Sequence, residues 1–130
     1  MTKKTVHVAV GIIKKNNKIF ICKRSAEQHQ GGKWEFPGGK VESNETVTQA
    51  LTRELKEEIN INVLSSEPFD QIHHDYTDKS VYLDIHLVEN FEGMAVGHEG
   101  QESRWVDIKR LIDYEFPEAN KVIIEKLLAL

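Results

Sequence analysis

Cysteine is almost missing from this chain: one residue, Cys22, in 130. An intramolecular disulfide is therefore excluded, and a reduced compartment, the cytoplasm, is the simplest reading. Cys22 stands in the strand-like run KIFICKR with nothing nearby in sequence to lower its pKa, so it reads as a packing residue. Long hydrophobic runs are missing too, and none reaches the length that crosses a membrane. The opening MTKKTVHVAVGII places lysines before an apolar stretch. That stretch is β-branched, contains His7 and lacks a small-residue cleavage site, so it reads as a first strand. A basic excess is also lacking. The net charge of −4 argues against binding a nucleic-acid polymer, but not against binding a single nucleotide. No Cys/His cluster has zinc spacing, and His73 and His74 would point to opposite faces of a strand.

What is present suits one domain over 1–130, expected to act as a monomer. Hydrophobic residues make up 39% and charged residues 29%, an ordinary balance for a globular fold. TVHVAVGII (5–13) and KIFICKR (18–24) predict a hairpin across KKNN. A loop over 25–33 leads to a short strand over 34–42, broken by Pro37-Gly38-Gly39. Thr46 with Gln49 forms a capping box, so a helix is expected to start at Thr46. Its apolar stripe is Val47, Leu51, Leu55 and Ile59, and Asn60 suits a left-handed C-cap. The strand-like runs INVLS, PFDQIHHDY and SVYLDIHLVENF follow, with TDK as the turn joining the last two. A glycine-containing loop (92–103), a strand RWVDI and a closing helix from Pro117 complete the chain. The order β-β-β-α-β-β-β-β-α predicts an α/β domain, a mixed sheet with helices packed on its faces.

The helix carries RELKEE. Like charges three and four residues apart repel by about 0.2–0.5 kcal/mol per pair, so Glu54, Glu57 and Glu58 on one face need a reason. At about 100° per residue they fall within a roughly 100° arc that abuts the apolar stripe. Carboxylates where a helix meets a sheet need counter-charge, and a hard divalent cation with oxygen ligands supplies it.

The spacing goes further. From Gly39 the chain reads G, five residues, Glu45, seven residues, then Arg53-Glu54-Leu55-Lys56-Glu57-Glu58-Ile59-Asn60-Ile61. This resembles the Nudix box, G-x5-E-x7-R-E-U-x-E-E-x-G-U with U aliphatic, over 39–61. One position departs: Asn60 replaces the late glycine, and asparagine is the other residue that tolerates that backbone.

The resemblance implies an α/β/α sandwich with the mixed sheet between helices. It also implies a hydrolase that splits a nucleoside diphosphate from another group, with Mg2+ as cofactor and Mn2+ as a possible substitute. Bound metal would reverse the site's repulsion of a triphosphate and polarise phosphoryl oxygens. By the same resemblance Glu54, Glu57 and Glu58 are metal ligands, with Gly38 and Gly39 lending a carbonyl or close approach. Arg53, supported by Glu45, would orient the glutamates. Glu99, in GHEGQES, is a further ligand, and the general base is either Glu54 or Glu99. His98 beside it is either a phosphate contact or a solvated loop histidine.

Outside the box, VAVGII, EFPGGK, EGQ and FPEAN resemble the MutT group of that family, the 8-oxo-dGTP diphosphatases that sanitise the nucleotide pool and so avoid mutation during DNA replication and repair. Asn120 offers one acceptor and one donor, which match N7–H and O6 of 8-oxoguanine but not the two acceptors of guanine. Sites built on such pairing discriminate by about 10⁴–10⁵. Arg24 and Phe36 would contact the base, each with a plainer alternative as a strand-end arginine and a core phenylalanine. Lys79 stands where an arginine is expected to close over the base, and it lacks the planar fork. Trp34, Asp84 and His86 also depart from the group, and the tryptophan resembles a sister group acting on CTP and modified cytidine nucleotides. A non-catalytic nucleotide-binding module and a protein-interaction domain whose acidic helix binds a basic partner are the remaining alternatives.

Overall fold

The computed structural model describes residues 4–25 and 31–130. Met1–Lys3, and residues 26–30 of the expected 25–33 loop, lie outside them. The elements are β1 (Thr5–Lys15), β2 (Lys18–Lys23), β3 (Trp34–Glu35), β4 (Gly38–Lys40), α1 (Val47–Ile59), β5 (Asn62–Asp75), β6 (Ser80–Glu92), β7 (Ser103–Asp107) and α2 (Lys121–Leu128). Two 3₁₀ turns, Ile108–Asp113 and Glu118–Asn120, precede α2.

The strands form one mixed sheet in the order β3-β2-β1-β6-β5. β1 and β6 run parallel from Thr5↔Ser80 to Ile13↔Val88. The other edge of β1 is shared. Val8–Val10 pair with β4, Gly11 N–H donates to the Pro37 carbonyl, and Lys14 and Lys15 pair with β2. This fork sets Gly38 and Gly39 beside α1.

Side chains alternate along each strand, so the sheet has two apolar faces. Ala9, Ile13, Phe20, Cys22 and Val88 meet Leu51, Leu55 and Ile59 of α1. Val10, Ile12, Ile21, Val106 and Phe116 meet Ile123, Ile124 and Leu127 of α2. Helices on both faces make the expected α/β/α sandwich. Each fully buried leucine or isoleucine contributes about 1.5–3 kcal/mol.

The first hairpin turns through Asn16, at φ 56. The capping box of α1 is present, Thr46 and Gln49 each accepting the other's backbone N–H, at 3.1 and 2.9 Å. Asn60 is left-handed at φ 62, ψ 38, and closes the helix on the Leu55 and Lys56 carbonyls.

Three expectations change. The single strand over 34–42 is two, because Pro37 carries no N–H for a ladder and the chain switches partner from β2 to β1. INVLS and PFDQIHHDY are one long edge strand, β5, whose register slips three times, once at Pro68; bulges and proline are tolerated at an edge. The closing helix starts at Lys121, not Pro117, which instead caps the 3₁₀ turn Glu118–Asn120.

Candidate active site

A cleft of about 940 Å³ opens between the β4–α1 junction and the turn before α2. Its lining includes Arg24, Phe36, Gly38, Gly39, Glu54, Glu58, Lys79, Glu99 and Asn120. Nine residues from separate parts of the sequence reading therefore share one cavity. Arg53 and Glu57 do not line it.

The helix wheel explains the glutamates. Glu58 lies about 20° inside the stripe that begins at Val47, Glu54 about 20° outside it, and Glu57 about 80° outside. Exposure follows that order: Glu58 is 8% exposed, the Glu54 side chain 21% and the Glu57 side chain 56%. Glu57 is thus on the open flank rather than at the helix–sheet junction, 3.8 Å from Arg53 Nη1.

Arg53 holds the acidic end together. Its Nε and Nη2 bind both oxygens of Glu45 at 2.8 Å, Nη1 donates to Glu54 Oε1 at 2.7 Å, and Nη2 donates to the Lys40 carbonyl at 3.1 Å. These bonds hold the Glu45 carboxyl down at about 2. A β-carbon at Gly39 would collide with the Glu54 carboxylate, and one at Gly38 with the Ala9 carbonyl. Backbone contact requires the glycine at Gly38, while at Gly39 a side chain would displace the Glu54 carboxylate from its place.

The loop bearing Glu99 is anchored rather than loose. α1 ends with carbonyls that have no partner inside the helix, and this loop supplies donors. Val96 N–H reaches Ile59 O at 3.0 Å, His98 N–H reaches Glu58 O at 2.9 Å, and Gln101 Nε2 reaches Glu58 O at 3.2 Å. His98 Nδ1–H donates to Glu57 O at 3.2 Å, so its ring is a tether. Gln101 also accepts the Glu99 N–H at 2.9 Å.

Glu58 is pushed up to about 8, first by burial and then by the charges of Glu35, Glu99 and Glu54. Its hydrogen bond is a long one, 3.4 Å from Gly38 N–H. Burial likewise raises Glu54. Among the described residues no three His, Cys, Asp or Glu side chains already stand as a metal-ligating cluster. The donor set nevertheless fits a hard divalent cation: all oxygen, mutually repelling, with a buried carboxylate short of donors. Glu54, Glu57, Glu58 and Glu99, with the carbonyls of Gly38 and Gly39, are the residues that could hold it.

At the other end, Phe36 is buried and stacks on Phe116 at 5.0 Å. Lys79 is lowered by burial and by the nearby charges of Arg24 and Lys40, so cations crowd the cleft mouth. Arg24 is paired with Glu35. Glu35 lines the cleft and its carboxyl is raised by burial against the pull of Arg24. The sequence reading passed over Glu35, although a carboxylate between Trp34 and Phe36 in a short strand was its visible signal. It also passed over Tyr76 and Gln101. Asn120 sits at the N-cap of α2 with φ −83, ψ −14 and makes no capping bond from its side chain.

Three departures, Trp34, Asp84 and His86, fall outside the cleft lining. Trp34 packs edge-on to Tyr114 at 5.3 Å and under the Arg104 guanidinium at 5.2 Å. Asp84, on the α1 face of the sheet, binds His7 at 2.5 Å and Gln71 at 2.8 Å, while His86 bonds Ser66 at 3.0 Å.

Residues 8–126 match the model of the NUDIX domain. An Escherichia coli (strain K12) protein named 8-oxo-dGTP diphosphatase is 42% identical over 125 residues, 95% of this chain and 97% of that one. A second E. coli protein, named CTP pyrophosphohydrolase, is 33% identical over 127 residues, 98% and 90% of the two chains. A solved structure described as MutT, in a study of Aliivibrio salmonicida and Vibrio cholerae, superposes with a TM-score of 0.83 at 41% identity and covers 96% of this chain and 97% of its own.

Proposed function

As the chain belongs to the Nudix hydrolase family, we propose that it hydrolyses 8-oxo-dGTP to 8-oxo-dGMP and pyrophosphate, with Mg2+ as cofactor. It works as a single cytoplasmic domain over 1–130 and as a monomer. The carrying observation is that Asn120, whose side chain is not spent on its helix cap, lines the same cleft as Glu54, Glu58 and Glu99. Its backbone is helical, at φ −83, ψ −14, rather than extended as in a capping residue, so the carboxamide is not drawn back onto the helix and is available for a ligand.

Glu54, Glu57, Glu58 and Glu99 would hold the metal, Glu57 from the exposed flank, with Gly38 and Gly39 close beside them. Bound magnesium supplies charge neutralisation and polarises the phosphoryl oxygens. Arg53 keeps Glu54 in place through one carboxylate oxygen. Glu54 is the better candidate for the base that takes the attacking water's proton, because its position is fixed, whereas Glu99 is exposed. Arg24 contacts the base, and Lys79 closes over it from the β5–β6 turn. Phe36 lines the base pocket, and Asn120 reads N7–H and O6 of the oxidised base.

The test is pyrophosphate release with Mg2+ from 8-oxo-dGTP, dGTP and CTP. Preference for 8-oxo-dGTP supports the reading. Preference for CTP, toward which the 33% identical E. coli relative points, would keep the chemistry and overturn the substrate.

A further inference from the structure

We propose that Tyr76 is the positioning residue for Asn120: its hydroxyl, reaching across from the β5–β6 turn, fixes the 3₁₀ turn that presents the base-reading carboxamide. This rests on the reading of Asn120 given above.

Tyr76 opens the turn after β5, and its N–H donates to the Lys79 carbonyl at 2.8 Å. Its hydroxyl accepts the Ala119 N–H at 3.0 Å, from a residue 43 positions away. That amide needs a partner. A helical turn leaves its first amides unsatisfied, and Pro117, at the cap, has none to give. Asn120 N–H reaches back to Pro117 O at 2.9 Å, and Lys121 N–H reaches Glu118 O. The Ala119 N–H is one residue too early for such a bond. Ala119 is 2% exposed, so water is a poor substitute. Among the described residues the tyrosine oxygen is the partner it finds.

The consequence is for the next residue. The Ala119 N–H lies in the peptide plane shared by Glu118 and Ala119, and the Asn120 N–H bond to Pro117 O fixes the next plane, so holding the Ala119 amide steadies the turn from which the Asn120 side chain leaves the backbone. Tyr76 and Asn120 both line the cleft. Discrimination requires the carboxamide oxygen to meet N7–H while its NH₂ meets O6. A turn released from Tyr76 loosens that match for 8-oxo-dGTP. Ordinary dGTP has no such match to lose. Tyr76 thereby acts on selectivity without touching the phosphates.

Tyr76→Phe removes only the hydroxyl and keeps the ring. The experiment compares KM and kcat for 8-oxo-dGTP and dGTP in the native chain, Tyr76→Phe, Asn120→Ala and the double variant, with a thermal melt of each. The expected result is a KM for 8-oxo-dGTP raised about fivefold, as for one lost buried hydrogen bond, with a smaller change for dGTP. In the Asn120→Ala background the same substitution leaves the selectivity ratio where it stands. Equal losses on both substrates, or a further fall in that ratio in the double variant, would overturn the positioning role while leaving Asn120 as the reader. If Asn120→Ala leaves the preference for 8-oxo-dGTP intact, both the tether and the reading beneath it fail.

Discussion

The two ends of the cleft differ in how their parts are connected. At the acidic end, Glu54 and Glu58 share one helix, and Gly38, which meets Glu58, lies 20 residues away. At the base end, Phe36 comes from the link between β3 and β4, Tyr76 and Lys79 from the β5–β6 turn, and Asn120 from the turn before α2. There a key contact spans 43 residues. The helix-borne part of the acidic end is therefore set by the period of one helix and a capped start, while Glu99 reaches it on a loop docked to the end of α1 by contacts that span 41 and 43 residues. The base end exists only once the sheet and α2 have packed. Damage should then stay local at the first end and change what is recognised at the second.

The largest expected effect is at the acidic end. Glu58→Gln should lower kcat by about 10³-fold or more, as for loss of a group that stabilises developing charge, with the preference between 8-oxo-dGTP and dGTP retained. The fold should not suffer, since Glu58 is a buried carboxylate with one long hydrogen bond, and an amide is no harder to bury. A thermal melt that drops sharply in this variant would make Glu58 a structural residue and erase the contrast between the two ends.

Next in size is Asn120→Ala. Its preference for 8-oxo-dGTP over dGTP should fall by about 10²-fold or more, with kcat for dGTP little changed. Steady-state kinetics on the two substrates decide this. A uniform loss on both would mean that Asn120 serves the turn rather than the base.

Much of the acidic end was legible because its determinants are local. The capping box at Thr46, the four-residue stripe and a left-handed Asn60 each follow from a short stretch and appear as expected. The wheel even ranks Glu58, Glu54 and Glu57 by burial, but the sequence reading treated the three as one face and so missed that Glu57 is open. The rest depends on packing between distant segments. Nothing near Glu35 says that Arg24 is its partner, and nothing near Tyr76 says that its hydroxyl will meet Ala119. Proline suits the first turn of an α-helix, and the tighter 3₁₀ turn that follows Pro117 suits it equally.

A smaller effect, on stability with pH, probes the scaffold of the acidic end alone. Glu45 ordinarily titrates near 4.5 and is held to about 2 by Arg53. Between those values the unfolded chain binds a proton that the folded chain does not, so stability rises with pH there. The Glu45 contribution is full above about 4.5 and is lost as pH falls toward 2. Melting temperatures of the native chain and Glu45→Gln should differ at pH 6 and converge toward pH 2. A gap independent of pH would mean that the Arg53–Glu45 pair acts by packing rather than charge.

The smallest expected change in recognition comes from a residue that looked suspicious in sequence. Trp34 departs from the MutT-like pattern toward one associated with cytidine nucleotides, yet its ring lies under Arg104 and against Tyr114, outside the cleft lining. Trp34→Leu should therefore cost about 1–3 kcal/mol through lost ring contacts, visible as a lower melting temperature. The ratio of CTP to 8-oxo-dGTP turnover should stay where it was. If that ratio moves while the melt does not, the wall formed by β3 reads the base after all, and the base end of the cleft extends beyond Phe36 and Asn120.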